Sequence, residues 1–179
     1  MAACADGPGQ EYSLAEMRAL HIVLVEPEIP WNAGNVGRTA LAVGAELHLV
    51  EPLGFSLDDR QVRRAGLDYW PRVRLRVWKD WSQLERALPE LGEPFLLTAA
   101  APRTYWEPRY PDRTVLLLGR ESVGLSPDLL ARFPERTVRL PMVDFQLRSL
   151  NLSTAAALAS YEVIRQWGVE QDQTRSNPL

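Results

Sequence analysis

The sequence has little of the material from which disulfide frameworks and metal clusters are made. Its 179 residues include one cysteine, Cys4, and two histidines, His21 and His48. A single thiol forms no internal disulfide, and two isolated histidines do not give the Cys/His spacing of a zinc site. We therefore expect a protein without a bound metal. Because both histidines lie in apolar segments, we expect them to be core residues rather than catalysts.

Long apolar runs and a secretion signal are missing as well. No run approaches the roughly 18 apolar residues that a membrane-spanning helix needs. Residues 1–20 lack the charged start and continuous apolar segment of a signal peptide. These absences predict a cytoplasmic protein that does not enter a membrane.

Lysine is nearly absent, since Lys79 is the one lysine among 20 basic residues and the net charge is −3. A negative net charge argues against a bulk electrostatic grip on nucleic acid, but it permits a local basic patch. Guanidinium groups interleaved with aromatic rings suit phosphates and stacked bases. A solvated helix face followed by an edge strand would explain the same pattern. The residues of this patch are Arg60, Arg63, Arg64, Tyr69, Trp70, Arg72, Arg74 and Arg76.

What the chain does contain is an alternation of apolar strands and capped or amphipathic helices. Continuous apolar runs such as residues 20–27 and 114–119 are typical of parallel strands that are buried on both faces. Strands alternating with helices predict an α/β fold, with a mostly parallel sheet flanked by helices. We expect one domain over residues 17–168, a disordered leader over 1–16 and a loose tail over 169–179.

Capping residues place several helix boundaries. Asn32 is the predicted N-cap of the first helix, and Gly44 is expected to end it. Either Asn151 or Ser149 should cap the last helix, which we expect to run from about Leu152 to Trp167. The other expected helix starts are Ser56 or Asp58 for a short helix ending at Gly66, Asp80, and Ser126 followed by Pro127.

Three segments have the composition of ligand-binding loops. The first, Asn32–Arg38, follows a strand and opens a helix, where free N–H groups favour an anion and Gly34 and Gly37 permit close approach. It is neither a G-x-G-x-x-G nor a Walker sequence, so dinucleotide or nucleoside triphosphate binding lacks its usual fingerprint. An ordinary capped helix start is the alternative.

The second segment, residues 116–125, ends a buried strand at Gly119. Ligands of open α/β sheets bind beyond the carboxyl ends of the strands, and Gly119 would let a flat ligand lie against the backbone. Glu121 would either accept a hydrogen bond from the ligand or pair with Arg120. A solvated turn is the alternative.

The third segment, residues 140–162, runs from a strand end through an irregular loop into a helix rich in alanine. Leu140 and Met142 are placed to flank a purine. The polar residues Arg148, Ser149 and Asn151 would either converge on a ligand or cap the helix. The small side chains of the helix permit close helix packing, inside the fold or across a dimer.

Together, the patterns N-x-G-N-x-x-R, L-G-x-E-x-x-G-L and L-P-M…S-L-N-L-S…Y-E resemble the three motifs of the SPOUT-class RNA methyltransferases. The stretches EPEIPWNAGN and RRAGLDY resemble the minimal branch of that class, which methylates the ribose 2′-oxygen of the wobble nucleotide of tRNA. The loop over residues 141–151 is about one residue longer than is usual there, and Phe145 and Leu147 are unexpectedly apolar.

This resemblance implies a deep C-terminal trefoil knot, an exception to the usual unknotted topology of proteins. It implies S-adenosylmethionine as the cofactor, tRNA as the substrate and a homodimer formed through the C-terminal helix. The methyl group would go to the 2′-hydroxyl of nucleotide 34, a cytidine or a modified uridine. The cofactor pocket carried over from the family consists of Leu97, Thr98, Gly119, Leu140, Met142 and Ser149.

The resemblance also implies roles for charged and amide residues. A guanidinium with a pKa above about 12 is a poor base, so we expect Arg38 to stabilise the developing alkoxide. The residues with implied catalytic roles are Arg38, Asn35, Glu121 and Asn151, and those expected to bind RNA are Arg60, Arg63, Arg64 and Arg148.

Three other functions stay open at this point. One is a non-catalytic RNA-binding dimer with the same fold, and another is 2′-O-methylation of a different RNA site, such as one in ribosomal RNA. A nucleotide-dependent oxidoreductase is the third, although the dinucleotide fingerprint is missing.

Overall fold

The fold is built on one six-stranded sheet in which every paired strand runs parallel to its neighbour. The computed structural model describes residues 18–57, 68–144 and 146–168. Along the sheet the strand order is β3-β2-β1-β5-β4-β6. The strands are β1 Ala19–Val25, β2 Glu46–Val50, β3 Leu75–Trp78, β4 Glu93–Leu97, β5 Arg113–Leu118 and β6 Thr137–Val138, and the α-helices are α1 Pro30–Val43, α2 Trp81–Leu91, α3 Pro127–Arg132 and α4 Leu152–Gln166.

Helices cover both faces of this sheet, which confirms the predicted α/β class. Helices α1 and α4 pack together on one face, and their buried small residues, such as Ala33, Ala156 and Ala159, allow the two helices to lie close. Leu84 of α2 and Leu129 of α3 pack with strand residues in the second core cluster, on the other face. Because both faces are covered, the central strands need the continuous apolar runs seen in the sequence.

Most of the predicted helix ends are confirmed. Gly44 ends α1 in the left-handed conformation, at φ 68°. The Asp80 carboxylate accepts from the Gln83 N–H, and Ser126 caps α3 in the same way. Asn151 is the N-cap of α4, where its Oδ1 accepts from the Ser153 N–H.

The prediction that Asn32 caps α1 is wrong. The helix begins at Pro30, its N-cap is Ile29, and no side chain caps it. Proline suits the first turn of a helix because its fixed φ is helical and its missing N–H has no partner there anyway. Asn32 therefore lies inside the first turn, where its buried side chain contacts other loops.

Several predictions concern residues outside the described ranges. These are the leader over 1–16, most of the helix expected to end at Gly66, and the tail over 169–179. The trefoil knot stays a prediction. No helix in the described part of the chain is long and apolar enough to cross a membrane.

Candidate functional site

A cavity of about 430 Å³ opens beyond the carboxyl ends of β4 and β5. This is the edge at which parallel α/β sheets bind ligands, and the volume is that of a small-molecule pocket. Its walls come from the first turn of α1, the loop after β5 and the loop that leads into α4. All six residues expected to hold a cofactor line it: Leu97, Thr98, Gly119, Leu140, Met142 and Ser149.

Three further residues with predicted roles line the same cavity, namely Glu121, Arg148 and Asn151. The sequence segments that contribute them are far apart, yet the fold brings the second and third predicted loops to one rim. The arrangement combines apolar side chains with a few polar groups, which is typical of a site that orients an organic ligand.

The start of α1 does attract an anion, as its sequence predicts, but the anion is the carboxylate of Glu121. Its Oε2 accepts from the Glu28 N–H at 2.8 Å, and its Oε1 accepts from the Ile29 N–H at 3.3 Å. Free N–H groups and the helix dipole favour a negative group at this place. The expected pairing of Glu121 with Arg120 is wrong, because Arg120 pairs with Glu26 instead. A hydrogen bond from a ligand to Glu121 stays a prediction.

Asn32 joins the three loops into one hydrogen-bonded chain. Its Nδ2 donates to Glu121 Oε1 at 2.9 Å, and its Oδ1 accepts from Asn151 Nδ2 at 3.0 Å. Asn151 in turn caps α4, so the chain runs from the loop after β5 through α1 to the start of α4. Sequence reasoning missed this role, because the same asparagine also fits the pattern of a helix cap.

A second connection holds the loop after β5 against the segment before α1. The Glu28 carboxylate accepts from the Ser122 Oγ–H at 2.8 Å and from the Ser122 N–H at 3.0 Å. These two hydrogen bonds lower the pKa of Glu28. Arg148 Nη2 donates to the Ser122 carbonyl at 3.3 Å, which ties the third loop to the same point. The rim is thus fixed by two parallel polar links.

Gly119 is required by the protein's own backbone. A Cβ at this position would lie 2.1 Å from the carbonyl carbon of Gly124 and 2.2 Å from the nitrogen of Leu125. The expectation that Gly119 leaves room for a flat ligand therefore needs correction. Gly119 does line the cavity, but the space of its missing side chain is filled by the turn over residues 120–124, which needs that space to fold back.

Arg38 and Asn35 do not line the cavity of their own chain. Both are exposed on α1, on the side of the helix that bears Trp31. The Arg38 guanidinium lies over the ring of Tyr69, 4.5 Å from its centroid, and the Tyr69 hydroxyl donates to the Gly34 carbonyl at 3.0 Å. The structure thus separates these two residues from Glu121 and Asn151, with which they were grouped.

Comparison with known proteins agrees with this geometry. The model of the SpoU rRNA Methylase family matches residues 19–161. The chain belongs to this family. The match confirms the resemblance drawn from the three motifs, since the SpoU methylases are RNA methyltransferases.

A curated relative from Acidovorax sp. (strain JS42), named tRNA (cytidine(34)-2'-O)-methyltransferase, is 45% identical over 160 residues, which cover 88% of this chain and 98% of the relative. A solved structure described as "Structural insights into the 2-OH methylation of C/U34 on tRNA" is 45% identical, has a TM-score of 0.80, and the match covers 85% of this chain and 98% of that one. An AdoMet-bound rRNA methyltransferase from Sinorhizobium meliloti is 27% identical, with a TM-score of 0.73 and coverage of 87% of this chain and 61% of that one.

The aromatic residues of the predicted basic patch serve the core of this SpoU methylase. Tyr69 is only 7% exposed, and Trp70 packs against the core beside α1. A Cβ at Gly37 would lie 2.6 Å from the Trp70 ring, so this glycine admits the indole rather than a phosphate. These contacts favour a structural role for the two rings over the stacking of bases. Arg60, Arg63 and Arg64 lie outside the described residues, and their RNA-binding role stays a prediction.

The two histidines of the SpoU methylase meet on the other face of the sheet, which the sequence analysis did not foresee. His21 Nδ1 lies 2.9 Å from His48 Nε2, and the Trp78 Nε1–H donates to His48 Nδ1 at 3.0 Å. The indole can only donate, so neutral His48 carries its proton on Nε2 and donates to His21. Neutral His21 then carries its proton on Nε2, which has no partner among the described residues.

Glu46 completes a cluster with ligand atoms close enough for a metal ion. Its Oε2 lies 3.7 Å from His21 Nδ1 and 3.9 Å from His48 Nε2. A metal on His48 Nε2 would require a proton on Nδ1, where the Trp78 N–H already donates. The hydrogen-bond directions therefore fit a neutral histidine pair, and they do not fit a metal-ligating His48.

Proposed function

We propose that this chain transfers a methyl group from S-adenosylmethionine to the ribose 2′-hydroxyl of nucleotide 34, the wobble position, of tRNA. The observation that carries the proposal is the cavity closed by the Glu121–Asn32–Asn151 chain, which unites the three motif loops. The relative and the solved structure that are 45% identical, both described by their action on position 34 of tRNA, support the choice of substrate.

The residues of the cavity fit this cofactor. Leu140 and Met142 supply apolar contacts for a planar base, while Thr98 and Ser149 supply hydroxyl groups at the same rim. The AdoMet-bound structure from Sinorhizobium meliloti supports the same choice. When bound, S-adenosylmethionine provides an electrophilic methyl group on a sulfonium, and the protein's task is to align the ribose oxygen and exclude water.

The chain's own residues then act on the ribose oxygen and on the loops that hold it. Arg38 stabilises the negative charge that develops on the 2′-oxygen as its proton leaves to a neighbouring RNA phosphate or to water. A guanidinium is suited to this role because it stays charged and donates several hydrogen bonds. Glu121 and Asn151 position the rim rather than exchange protons, because their polar atoms are engaged in the chain through Asn32.

A homodimer formed through α4 would bring Arg38 to the cavity of the second copy. Arg38 is remote from the cavity of its own chain, yet it shares a surface with exposed apolar side chains of two packed helices. Trp31 on α1 is 54% exposed, and Tyr161 on α4 is 53% exposed. Such apolar groups are typical of a protein interface. A tRNA-modifying enzyme of this kind would act in the cytoplasm.

The proposal is tested by incubating the purified protein with S-adenosylmethionine and unmodified tRNA, followed by nuclease digestion and mass spectrometry. A new 2′-O-methyl group on nucleotide 34 is the expected result. Methyl groups at another position would contradict the substrate and retain the chemistry. Cofactor binding without any transfer, on tRNA from several sources, would favour the non-catalytic RNA-binding dimer.

The role of Arg38 has its own test. Arg38→Ala should lower the rate of methyl transfer by ~10²–10³-fold, the usual effect of losing one donor that stabilises a developing oxyanion. Calorimetry should show nearly unchanged cofactor affinity, because Arg38 acts on the ribose oxygen of the RNA and does not hold the cofactor. A loss of cofactor affinity with unchanged turnover of the bound complex would contradict this role.

A further inference from the structure

A second cavity, of about 390 Å³, lies at the same edge of the sheet as the first. It is bounded by Val25 and Glu26 at the end of β1. Arg120, Val123 and Gly124 line both cavities, so the turn over residues 120–124 is their common wall. Two backbone hydrogen bonds between Arg120 and Gly124, of 2.8 and 3.2 Å, close this turn. The two cavities are therefore immediate neighbours.

The second cavity presents an aromatic ring. Trp81, at the start of α2, lines it and is held by an edge contact with Phe133 at 6.5 Å between ring centroids. The indole N–H of Trp81 is buried and has no hydrogen-bond partner among the described residues. A buried donor without an acceptor is unusual in proteins and calls for an explanation. A flat ligand in this cavity would stack on the face of the indole.

Polar groups of both kinds surround this ring. The exposed Asp128 carboxylate forms no hydrogen bond or ion pair with any other described residue, and it can only accept. Arg132 reaches Glu85 with one nitrogen, at 2.7 Å, which leaves other donors of its guanidinium unused. Acceptors and donors beside an aromatic ring match the hydrogen-bonding edge of a nucleobase. A cluster of one sign would instead suggest a simple ion.

The guanidinium of Arg120 lies in the wall between the two cavities and is held by an ion pair. Arg120 pairs with Glu26, which is the one non-glycine residue with a positive φ, 52°, among those described. Backbone strain of this kind concentrates at ligand sites. A guanidinium beside the cofactor cavity is placed to bind the phosphate next to the ribose that receives the methyl group.

We propose that the second cavity binds a base that neighbours the methylated nucleotide in the substrate RNA, with Trp81 as its stacking surface and Asp128 and Arg132 at its edge. This inference rests on the proposed function, since it assigns the adjacent nucleotide of the same RNA. The phosphate between the two nucleotides would pass Arg120.

The test uses an RNA stem-loop with the anticodon sequence and two relatives of it, each lacking the base of one nucleotide that flanks position 34. Affinity is measured by fluorescence anisotropy of labelled RNA, and methyl transfer is measured separately. With the wild-type protein, one of the two abasic RNAs should bind about tenfold more weakly, as expected for the loss of one stacked base. With Trp81→Leu, which removes the stacking surface, intact and abasic RNA should bind alike. With Asp128→Asn/Arg132→Gln, which changes two exposed side chains at the edge of the base, the difference should become smaller.

Arg86→Gln is the matched control, because Arg86 is an exposed arginine of α2 that lines neither cavity. It should keep the tenfold difference. Equal binding of all three RNAs by the wild-type protein, or an abasic penalty that stays tenfold in Trp81→Leu and in the double variant, would overturn the second-cavity site. RNA binding that shows the expected pattern without any methyl transfer would retain the site and contradict the proposed reaction. Failure of the wild-type protein to bind the intact RNA would overturn both.

Discussion

At the scale of single residues, Asn32 is the side chain that links the loops of the site. It is 1% exposed, and both ends of its amide are used, one by Glu121 and one by Asn151. An amide is the side chain that suits this place, because the position needs a donor toward a carboxylate and an acceptor toward another amide. Asn35, one turn further along α1, is exposed and has neither contact.

Asn32→Ala should lower the free energy of unfolding by about 1–3 kcal/mol, since it removes two hydrogen bonds that contribute about 0.5–1.5 kcal/mol each. Asn32→Asp should be worse, because it places a second carboxylate against Glu121. Urea denaturation measures both changes. Asn35→Ala is the matched control for stability and should shift the midpoint little. Equal effects at the two positions would contradict the proposed chain.

Tyr69 is a positioning residue for Arg38. Tyr69→Phe should keep the ring beneath the guanidinium and lose only the hydrogen bond to Gly34, which contributes about 1 kcal/mol to stability. Tyr69→Leu should also release Arg38 and lower kcat roughly twofold to fivefold, the equivalent of a cation–π contact at an exposed site. KM for the cofactor should not change. Equal kcat values for the two variants would show that the ring does not orient Arg38.

At the scale of elements, the register of β1 and β2 determines the environment of the histidines. His21 is paired with Glu46 and Val23 with His48, so both rings lie on the sheet face covered by α2. Burial lowers the pKa of His21 to about 4 and the pKa of His48 to about 3. The positive charge of Arg76, which lies 3.3 Å from the Glu46 carboxylate, lowers both pKa values further. Both rings therefore stay neutral in the folded protein at neutral pH.

This pair should make the protein sensitive to mild acid. Histidines in the unfolded chain take up protons near pH 6.5, whereas the folded pair does so only near pH 4 and below. Stability is therefore fully present above pH 6.5 and falls as the pH drops toward 4, by up to about 1.4 kcal/mol per pH unit for each histidine. Urea denaturation between pH 4.5 and 7.5 should show a steeper loss for the wild type than for His21→Gln. Parallel curves would contradict the neutral pair.

The sequence predicted the positions of strands and helix ends better than it predicted contacts between them. Apolar runs of strand length indicated the strands, and Gly44, Asp80 and Ser126 marked helix ends, because these signals are local. The first helix was placed too late because Pro30 and Asn32 both carry start signals within three residues. Which of them prevails depends on the partner of Asn32 in the loop after β5, 89 residues away. No local pattern contains that partner.

In the candidate site, too, features with a local sequence signal were predicted, and features that depend on distant partners were not. The residues expected to hold the cofactor came from the resemblance to known motifs, and they all line one cavity because the strands that precede them end at the same edge of the sheet. The sequence did not reveal which groups bind the Glu121 carboxylate or that Tyr69 is buried. Both depend on how loops pack against α1. The meeting of His21 and His48 did leave a signal. Both lie in buried strands that were expected to run parallel, and an alternation count would have put them on one face.

At the scale of the whole molecule, the position of Arg38 predicts that two copies of the chain act together. If each Arg38 serves the cavity of the second copy, two inactive variants should complement each other. Arg38→Ala leaves the cavity intact, and Leu140→Trp should fill the cavity while leaving Arg38 in place. A randomly paired mixture of the two variants should recover about a quarter of wild-type activity, because half of its dimers are mixed and each mixed dimer has one of its two sites complete.

Each variant alone should be inactive, and calorimetry should show that only Leu140→Trp loses the cofactor. A mixture that stays inactive while mixed dimers are demonstrated by native mass spectrometry would contradict action across the dimer. In that case Arg38 would have to reach the substrate beside its own cavity.

The link between Asn32 and Asn151 spans 119 residues of the chain. During synthesis from the N-terminus, Asn32 is made long before Asn151, so their hydrogen bond can form only after most of the chain exists. Until then Asn32 can form its hydrogen bond to Glu121 but not the one to Asn151. The ligand cavity is therefore completed only when the loop before α4 and the start of α4 have been synthesised. Truncation before α4 would remove one wall of the cavity together with half of the helical layer that covers this face of the sheet.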